Sequence, residues 1–330
     1  MKIGFYTLGC KVNTYETESI WELFKAKGYT RVKNSEYADV YVINTCTVTN
    51  SGDSKSRKTI RKLIKHNPEA VIAVMGCYSQ MSPEEIYDID GVDIIIGTKH
   101  REQIVDLVEE NLRKRERVSN VTDVSRYREF DETHVTNFTE NTRAFLKIQD
   151  GCNNFCSYCI IPFARGPVRS RDKESILNEA NSLVKNGYHE IVLTGIHTGG
   201  YGSDLVDYSF YELLEDLSNI PNLNRIRISS IEINELTTDI LKLIASKDNF
   251  AKHLHIPLQS GSERILREMR RKYTKKEFES MIKNIREILP NIAITTDIIV
   301  GFPTETDEEF LEMKDFIRKM EFTELHVFPY

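Results

Sequence analysis

"AFLKIQDGCNNFCSYC", residues 144–159, runs a short apolar segment straight into three cysteines spaced C-x3-C-x2-C. AFLKIQ (144–149) reads as a strand. Cys152, Cys156 and Cys159 then sit just past its end, where parallel α/β architectures place their active-site loops. Three thiols are one short of a closed zinc site and one too many for a disulfide. A loop this short turns all three toward one point. A [4Fe–4S] cluster that only carries electrons takes four thiolates, so three leave one iron open for chemistry. A zinc site with a remote fourth ligand is the alternative.

Five more strand-like runs follow: EIVLT (190–194), RIRIS (225–229), HLHIP (253–257), AITTDIIV (293–300) and ELHVF (324–328). Helical stretches separate them. Six βα-type strands fall short of the eight of a closed barrel, so residues 143–330 are expected to form an open, partial (β/α)6 barrel. Upstream, KIGFYT (2–7), VYVINT (40–45), VIAVM (71–75) and VDIIIG (92–97) alternate with helical patterns at 14–28 and 54–66. Continuous apolar strands between helices predict a parallel sheet covered on both faces over residues 1–117. Residues 118–142, without a sustained period and rich in Thr, Asn and Asp, read as an extended connector with room for strand pieces, or as a continued part of either domain's surface. The fold class is α/β throughout, without internal repeats.

The chain has 330 residues, 40% hydrophobic and 28% charged, as expected of two globular domains. Its net charge of −6 means that a nucleic-acid partner must be held by local patches. No run approaches the about 18–20 apolar residues of a membrane span, and the start is unlike a signal peptide. A cytoplasmic address is the expectation. Reduced thiols there favour metal binding or catalysis over disulfides for the six cysteines.

The other three, Cys10, Cys46 and Cys77, are far apart in sequence, yet each directly follows one of the first three strands. Parallel strands bring their carboxyl ends to one edge, so these thiols can converge, with Gly9 and Gly76 allowing close backbone approach. A second three-thiolate cluster with an open iron is the expectation. Separately buried, inert cysteines are the bland alternative.

"CNNFCSYC" resembles the signature loop of the radical S-adenosylmethionine (SAM) enzymes, in which SAM chelates the open iron and is cleaved to a 5′-deoxyadenosyl radical. With the second trio, the whole chain resembles the methylthiotransferases, which replace C–H by C–SCH3. The resemblance implies two [4Fe–4S] clusters and two SAM per turnover. Cys152, Cys156 and Cys159 would hold the SAM cluster, and Cys10, Cys46 and Cys77 the sulfur-bearing auxiliary one. "LGCKVNTYETE", "TGIHTGGYGSDL" (194–205) and "RISSIE" (227–232) are similar to the branch acting on N6-threonylcarbamoyladenosine beside the tRNA anticodon. The isopentenyladenosine branch typically carries "YGCQMN" and the ribosomal-protein aspartate branch "LGCPKN". An everted base in single-stranded RNA and a low-potential electron donor are implied partners. Family members continue into a small RNA-binding β-barrel; as the sequence stops at HVFPY, that domain is expected to be absent.

At positions matching the family's cofactor pocket, Thr194 and Gly195 end the second barrel strand. Ser229, Ser230 and Glu232 follow the third, Gln259 and Ser260 the fourth, and Gly301 lies in DIIVGFPTE (297–305). Glu305 is one place off the usual register. Arg165, Arg169 and Arg171, just past the cysteine loop, suit the SAM carboxylate, the threonine carboxylate or tRNA phosphate. Basic runs at Lys55–Lys65 and Arg264–Lys276 are candidate phosphate tracks, or solvated helix faces. Asn13 reads as a helix cap. His197 could touch cofactor or substrate, and His134 and His255 read as structural. Rival readings are methylthiolation of another substrate, a non-catalytic iron–sulfur carrier or RNA scaffold, and a zinc-stabilised module.

Overall fold

The computed structural model describes residues 1–330 apart from Asn34, Thr49 and Glu140. Its first half is a six-stranded, wholly parallel sheet. In chain order the strands are β1 (Lys2–Thr7), β2 (Thr30–Arg31), β3 (Val40–Thr45), β4 (Val71–Gly76), β5 (Ile94–Ile96) and β6 (Val118–Asn120), arranged β2-β1-β3-β4-β5-β6. The last strand falls in the stretch read as connector, and β2 gave no readable run because it is two residues long.

Why the strands read as unbroken apolar runs is visible in where their side chains go. Val40 and Val42 of β3 join Ile3, Phe5, Val71 and Ala73 on one face, under helix α1 (Lys11–Ala26). Tyr41 and Ile43 join Ile72 and Val74 on the other, under α2 (Asn50–His66). Both faces are buried, so alternation disappears from the sequence.

The second half has β7 (Ala144–Lys147), a short antiparallel pair β8 (Gln149–Asp150) and β9 (Arg169–Ser170), then β10 (Glu190–Thr194), β11 (Arg225–Ile228), β12 (His253–His255), β13 (Ala293–Val300) and β14 (Glu324–Pro329). Parallel pairing gives β7-β10-β11 and β12-β13-β14. Single bridges, Ile226 to Phe250 and Ser230 to His255, carry the curve across the gap. The result is six barrel strands in one open arc. A core of Ile, Leu, Val and Phe fills the space between this arc and its outer helices.

A seam joins the halves. Tyr15 of α1 is fully buried in the second half's core, and its hydroxyl donates to Thr133 O at 2.6 Å. Beside it lies a sealed ion network. Glu16 meets Lys147 (2.8 Å), Arg165 (2.7 Å) and Arg101 (3.2 Å), while Asp150 meets Lys147 (2.7 Å), Arg165 (3.2 Å) and Arg169 (3.6 Å). Burial works against both carboxylates, yet the surrounding cations outweigh it and hold both below the usual carboxylate range. Among the described residues, no helix is long and apolar enough to cross a membrane.

Candidate active site

The carboxyl ends of β1, β3 and β4 deliver Cys10, Cys46 and Cys77 to one edge of the first sheet. Gly9 and Gly76 both have positive φ, 109° and 107°. A methyl group on Gly9 would lie 2.8 Å from Cys46 Cβ and 3.1 Å from its Sγ; one on Gly76 would meet Thr45 O at 2.6 Å. Only glycine lets the chain pass this close. Cys10 is the residue that caps α1, and Asn13, read from sequence as a cap, is instead buried inside the helix. Its amide donates to Leu8 O and Thr45 O, and its Oδ1 accepts from Arg165 Nη2 at 3.0 Å and lies 3.6 Å from Cys10 Sγ. Arg165 Nε donates to Cys77 Sγ at 3.3 Å. Burial raises the Cys46 thiol and pushes Cys77 up to about 11, and the charge of Cys10 adds to both.

The second trio lies at the barrel's opening loop. Gly151 turns the chain with φ 73°, so close under Pro167 that any side chain would collide with its carbonyl. Cys152 N donates to Gly166 O at 3.0 Å, and Cys159 N to Cys156 O at 2.9 Å. Burial pushes Cys152 up to about 12, with Cys159 and Cys156 adding to it, and also raises Cys159, with Cys156 adding to that. Asn154 N donates to Cys152 Sγ (3.4 Å) and Arg271 Nη1 to Cys156 Sγ (3.4 Å). All six cysteines are free thiols. Each trio thus has one guanidinium N–H aimed at a sulfur. Two desolvated thiols in each trio, with a cationic donor on one sulfur of the trio, fit a thiolate-bound iron–sulfur group, whose negative charge such a donor stabilises.

The arginines after the signature loop do not stand free. Arg165, Arg169 and Arg171 are all buried. Arg165 spends its nitrogens on Glu16, Asp150, Asn13 and Cys77, and so faces the first trio rather than a ligand of the second. Arg169 donates to the Arg165 and Pro167 carbonyls, and Arg171 pairs with Glu179 (2.6 Å) and Glu132 (3.0 Å). The reason is the seam, which takes guanidinium forks as its connectors.

The remaining expected pocket residues lie at strand ends on the same side. Thr194 Oγ1 turns back to Val192 O, and a side chain on Gly195 would strike Gln149 Oε1 at 2.9 Å. Ser229 Oγ meets Thr198 Oγ1 (2.9 Å), while Ser230 is exposed. Gln259 adopts φ 67° and pairs through its backbone with β13; Ser260 is buried. Gly301 is exposed, and its N–H is taken by Glu305 at 2.7 Å. Glu232, raised by burial, is ion-paired with Arg271. His197 pairs with Glu235, His134 lies against Arg171 and Glu179, and His255 against Asp297.

Two residues escaped sequence reasoning. Gln149 donates to the carbonyls of Asp150 and Gly151 (2.6 Å each) and accepts from His197 N (2.9 Å), bracing the cysteine loop against the loop after β10. Arg271, counted only as part of a basic run, is buried between Cys156, Tyr158 and Glu232. Elsewhere in that run Arg264 pairs with Glu309 and Lys275 with Glu312, while Arg267, Arg270, Lys272 and Lys276 are exposed. On α2, Arg57 is held by Tyr78 and Glu85, whereas Lys55, Lys58, Arg61, Lys62 and Lys65 are exposed.

Comparison with known proteins follows the same division. A family model described as the Radical SAM superfamily matches residues 146–317, and one described as the uncharacterized protein family UPF0004 matches residues 2–97. The chain is 53% identical over 329 residues to the threonylcarbamoyladenosine tRNA methylthiotransferase MtaB of Bacillus subtilis (strain 168), covering 99% of this chain and 73% of that protein. It is 42% identical to the protein of the same name from Aquifex aeolicus (strain VF5), covering 100% and 80%. Identity to the tRNA-2-methylthio-N(6)-dimethylallyladenosine synthase of Sulfurihydrogenibium sp. (strain YO3AOP1) is 36%, covering 100% and 76%. Among solved structures, the radical SAM methyltransferase TsrM of Kitasatospora setae superposes with a TM-score of 0.71 at 14% identity, covering 99% of this chain and 74% of that one.

Proposed function

The chain belongs to the radical SAM superfamily and, within it, to the methylthiotransferases, and from that premise we propose its substrate and the roles of its residues. It installs a methylthio group on C2 of N6-threonylcarbamoyladenosine next to the tRNA anticodon, with two [4Fe–4S] clusters and SAM as cofactors. Identities of 53% and 42% to two relatives named for the threonylcarbamoyl base support this branch, while a more distant relative of that name and one named for the dimethylallyl base stand level at 36%. The observation that carries the reading is the presence, in one chain, of two separate three-thiol sites, each with an arginine N–H on one sulfur.

Cys152, Cys156 and Cys159 would hold the SAM-binding cluster, and Cys10, Cys46 and Cys77 the auxiliary one. When bound, these groups supply the radical, the sulfur and the methyl group of the reaction. The chain's own residues position and insulate. Arg165 places positive charge against the buried sulfur of Cys77 and Arg271 against that of half-buried Cys156, and Gln149 fixes the cysteine loop. Thr194, Gly195, Ser229, Glu232, Gln259, Ser260 and Gly301 form the strand-end rim on which SAM would rest. Arg165, counted with them from sequence, serves the auxiliary site instead. The exposed basic face of α2 suits the RNA backbone, and the exposed Phe155 and Phe163 rings, 5.9 Å apart beside the cysteine loop, suit base stacking. A low-potential electron donor and a cytoplasmic setting complete the reading.

The test is nucleoside mass spectrometry of tRNA after anaerobic turnover with SAM and dithionite. Gain of SCH3 on threonylcarbamoyladenosine is expected; gain only on isopentenyladenosine would contradict the substrate. A smaller prediction concerns Gly9→Ala. Its added methyl must displace Cys46, so iron retained by the auxiliary site should fall while the other site keeps its iron; wild-type total iron would refute the tight fit.

A further inference from the structure

The substrate just proposed carries a threonine carboxylate, and the arginines that sequence offered for it are spent inside the seam. Another cation must meet that charge. The inner wall of the barrel supplies the setting. On β13, Ile294 and Ile298 point into the core under the outer helices, so Thr295 and Asp297 point the opposite way, into the barrel's interior. Neighbouring strands add His255 and His326, whose rings contact Asp297 at 3.1 and 3.2 Å. The Thr295 hydroxyl meets His255 Nδ1 (2.9 Å) and His253 Nε2 (3.0 Å). On β11, Arg227 pairs with Glu190 at 3.0 Å, a carboxylate also shared by Arg225 (3.1 Å) and Arg143 (3.7 Å).

Lys11 is the residue directly after Cys10, at the first turn of α1, and its side chain is exposed. No hydrogen bond or ion pair engages it among the described residues. It nonetheless lies within electrostatic reach of Arg143, Arg227, Cys10 and Asp297. Its ammonium therefore lies beside the auxiliary thiols, within the field of charges on the barrel wall. Counting Lys11, Arg143, Arg225 and Arg227 against Glu190, Asp297 and Glu324 leaves one positive charge in excess. The ring nitrogens of His255 and His326 and a carboxylate oxygen of Asp297 lie within 4.8 Å of one another, close enough for a metal ion. The positive excess opposes a divalent cation there and favours an anion.

We propose that Lys11 binds the threonine carboxylate of the modified adenosine, selecting that base and holding its C2 beside the Cys10–Cys46–Cys77 site. The proposal rests on the substrate reading above. An uncharged N6-substituent gives Lys11 nothing to bind, so the same residue discriminates against it.

The test uses the reconstituted full chain and an anticodon stem-loop RNA bearing threonylcarbamoyladenosine, either as the free acid or as its methyl ester. For Lys11→Gln, KM for the acid RNA should rise about tenfold, the worth of a charge-assisted hydrogen bond at a partly exposed site, while KM for the ester RNA stays at the wild-type value. Lys11→Arg should restore the preference for acid over ester. Iron content equal to wild type shows that the variants are folded and loaded. Equal losses on acid and ester, or no loss on either, would overturn the proposal. Wild type that leaves the acid RNA unmodified would instead overturn the substrate reading and the proposal with it.

Discussion

Replacing Cys10, Cys46 and Cys77 together by alanine is expected to reduce methylthio transfer to background while 5′-deoxyadenosine is still released from SAM. The expectation follows from the geometry of the two thiol sites. They lie on opposite sides of the seam, each with its own guanidinium donor, Arg165 for one and Arg271 for the other. Removing one trio empties one site and leaves the other's loop, its Gln149 brace and its Glu232–Arg271 pair in place. The reverse triple, Cys152, Cys156 and Cys159 to alanine, should lose both products, because SAM cleavage is assigned to that site. Parallel assays of deoxyadenosine and of methylthiolated nucleoside separate the two. Methylthiolated product from the first triple would break the assignment.

The second large effect is on stability. A Glu16→Gln variant should be less stable by about 3–5 kcal/mol, the range for removing one member of a buried ion pair. Four cations, Arg101, Lys147, Arg165 and Arg169, then face Asp150 and, at Arg101 alone, Asp131 at 3.7 Å. The side chain is sealed from water, so solvent cannot compensate. Denaturant unfolding measures the loss, and a change below about 1 kcal/mol would show the network to be slack. Glu16 sits below its ordinary value of 4.5 in the folded chain. As pH falls below about 4.5 the unfolded chain takes up this proton first, so the stabilisation, full above that pH, drains away toward the folded-state value. The wild type should therefore lose stability on acidification more steeply than Glu16→Gln.

Local chemistry was legible in the sequence; partners across the seam were not. β3, β4, β10 and β13 announced themselves because β-branched residues must cover a sheet on two faces. The proposed grouping of the six cysteines could be drawn from the sequence because each follows a strand end or shares one short loop. Helix α1 starts at Lys11 rather than near Thr14, since the turn at Gly9 delivers Cys10 as the cap and draws Asn13 inside. Arg165 was read as a ligand cation because a sequence shows a guanidinium without showing Glu16, 149 positions away, that claims it. Arg271 was hidden in a run of exposed-looking charges, and Gln149 in a strand, for the same reason. Their roles depend on tertiary neighbours that no spacing encodes. Lys11 lies between these cases: its adjacency to Cys10 was in plain view, but its lack of a hydrogen-bond or ion-pair partner among the described residues was not.

Iron and labile sulfide counted after anaerobic reconstitution put the two-site account to its hardest trial. Wild type should hold about eight irons, and each cysteine triple about four, matching one cubic cluster lost per variant. Wild type saturating near four, or the Cys10–Cys46–Cys77 triple retaining the wild-type content, would contradict it.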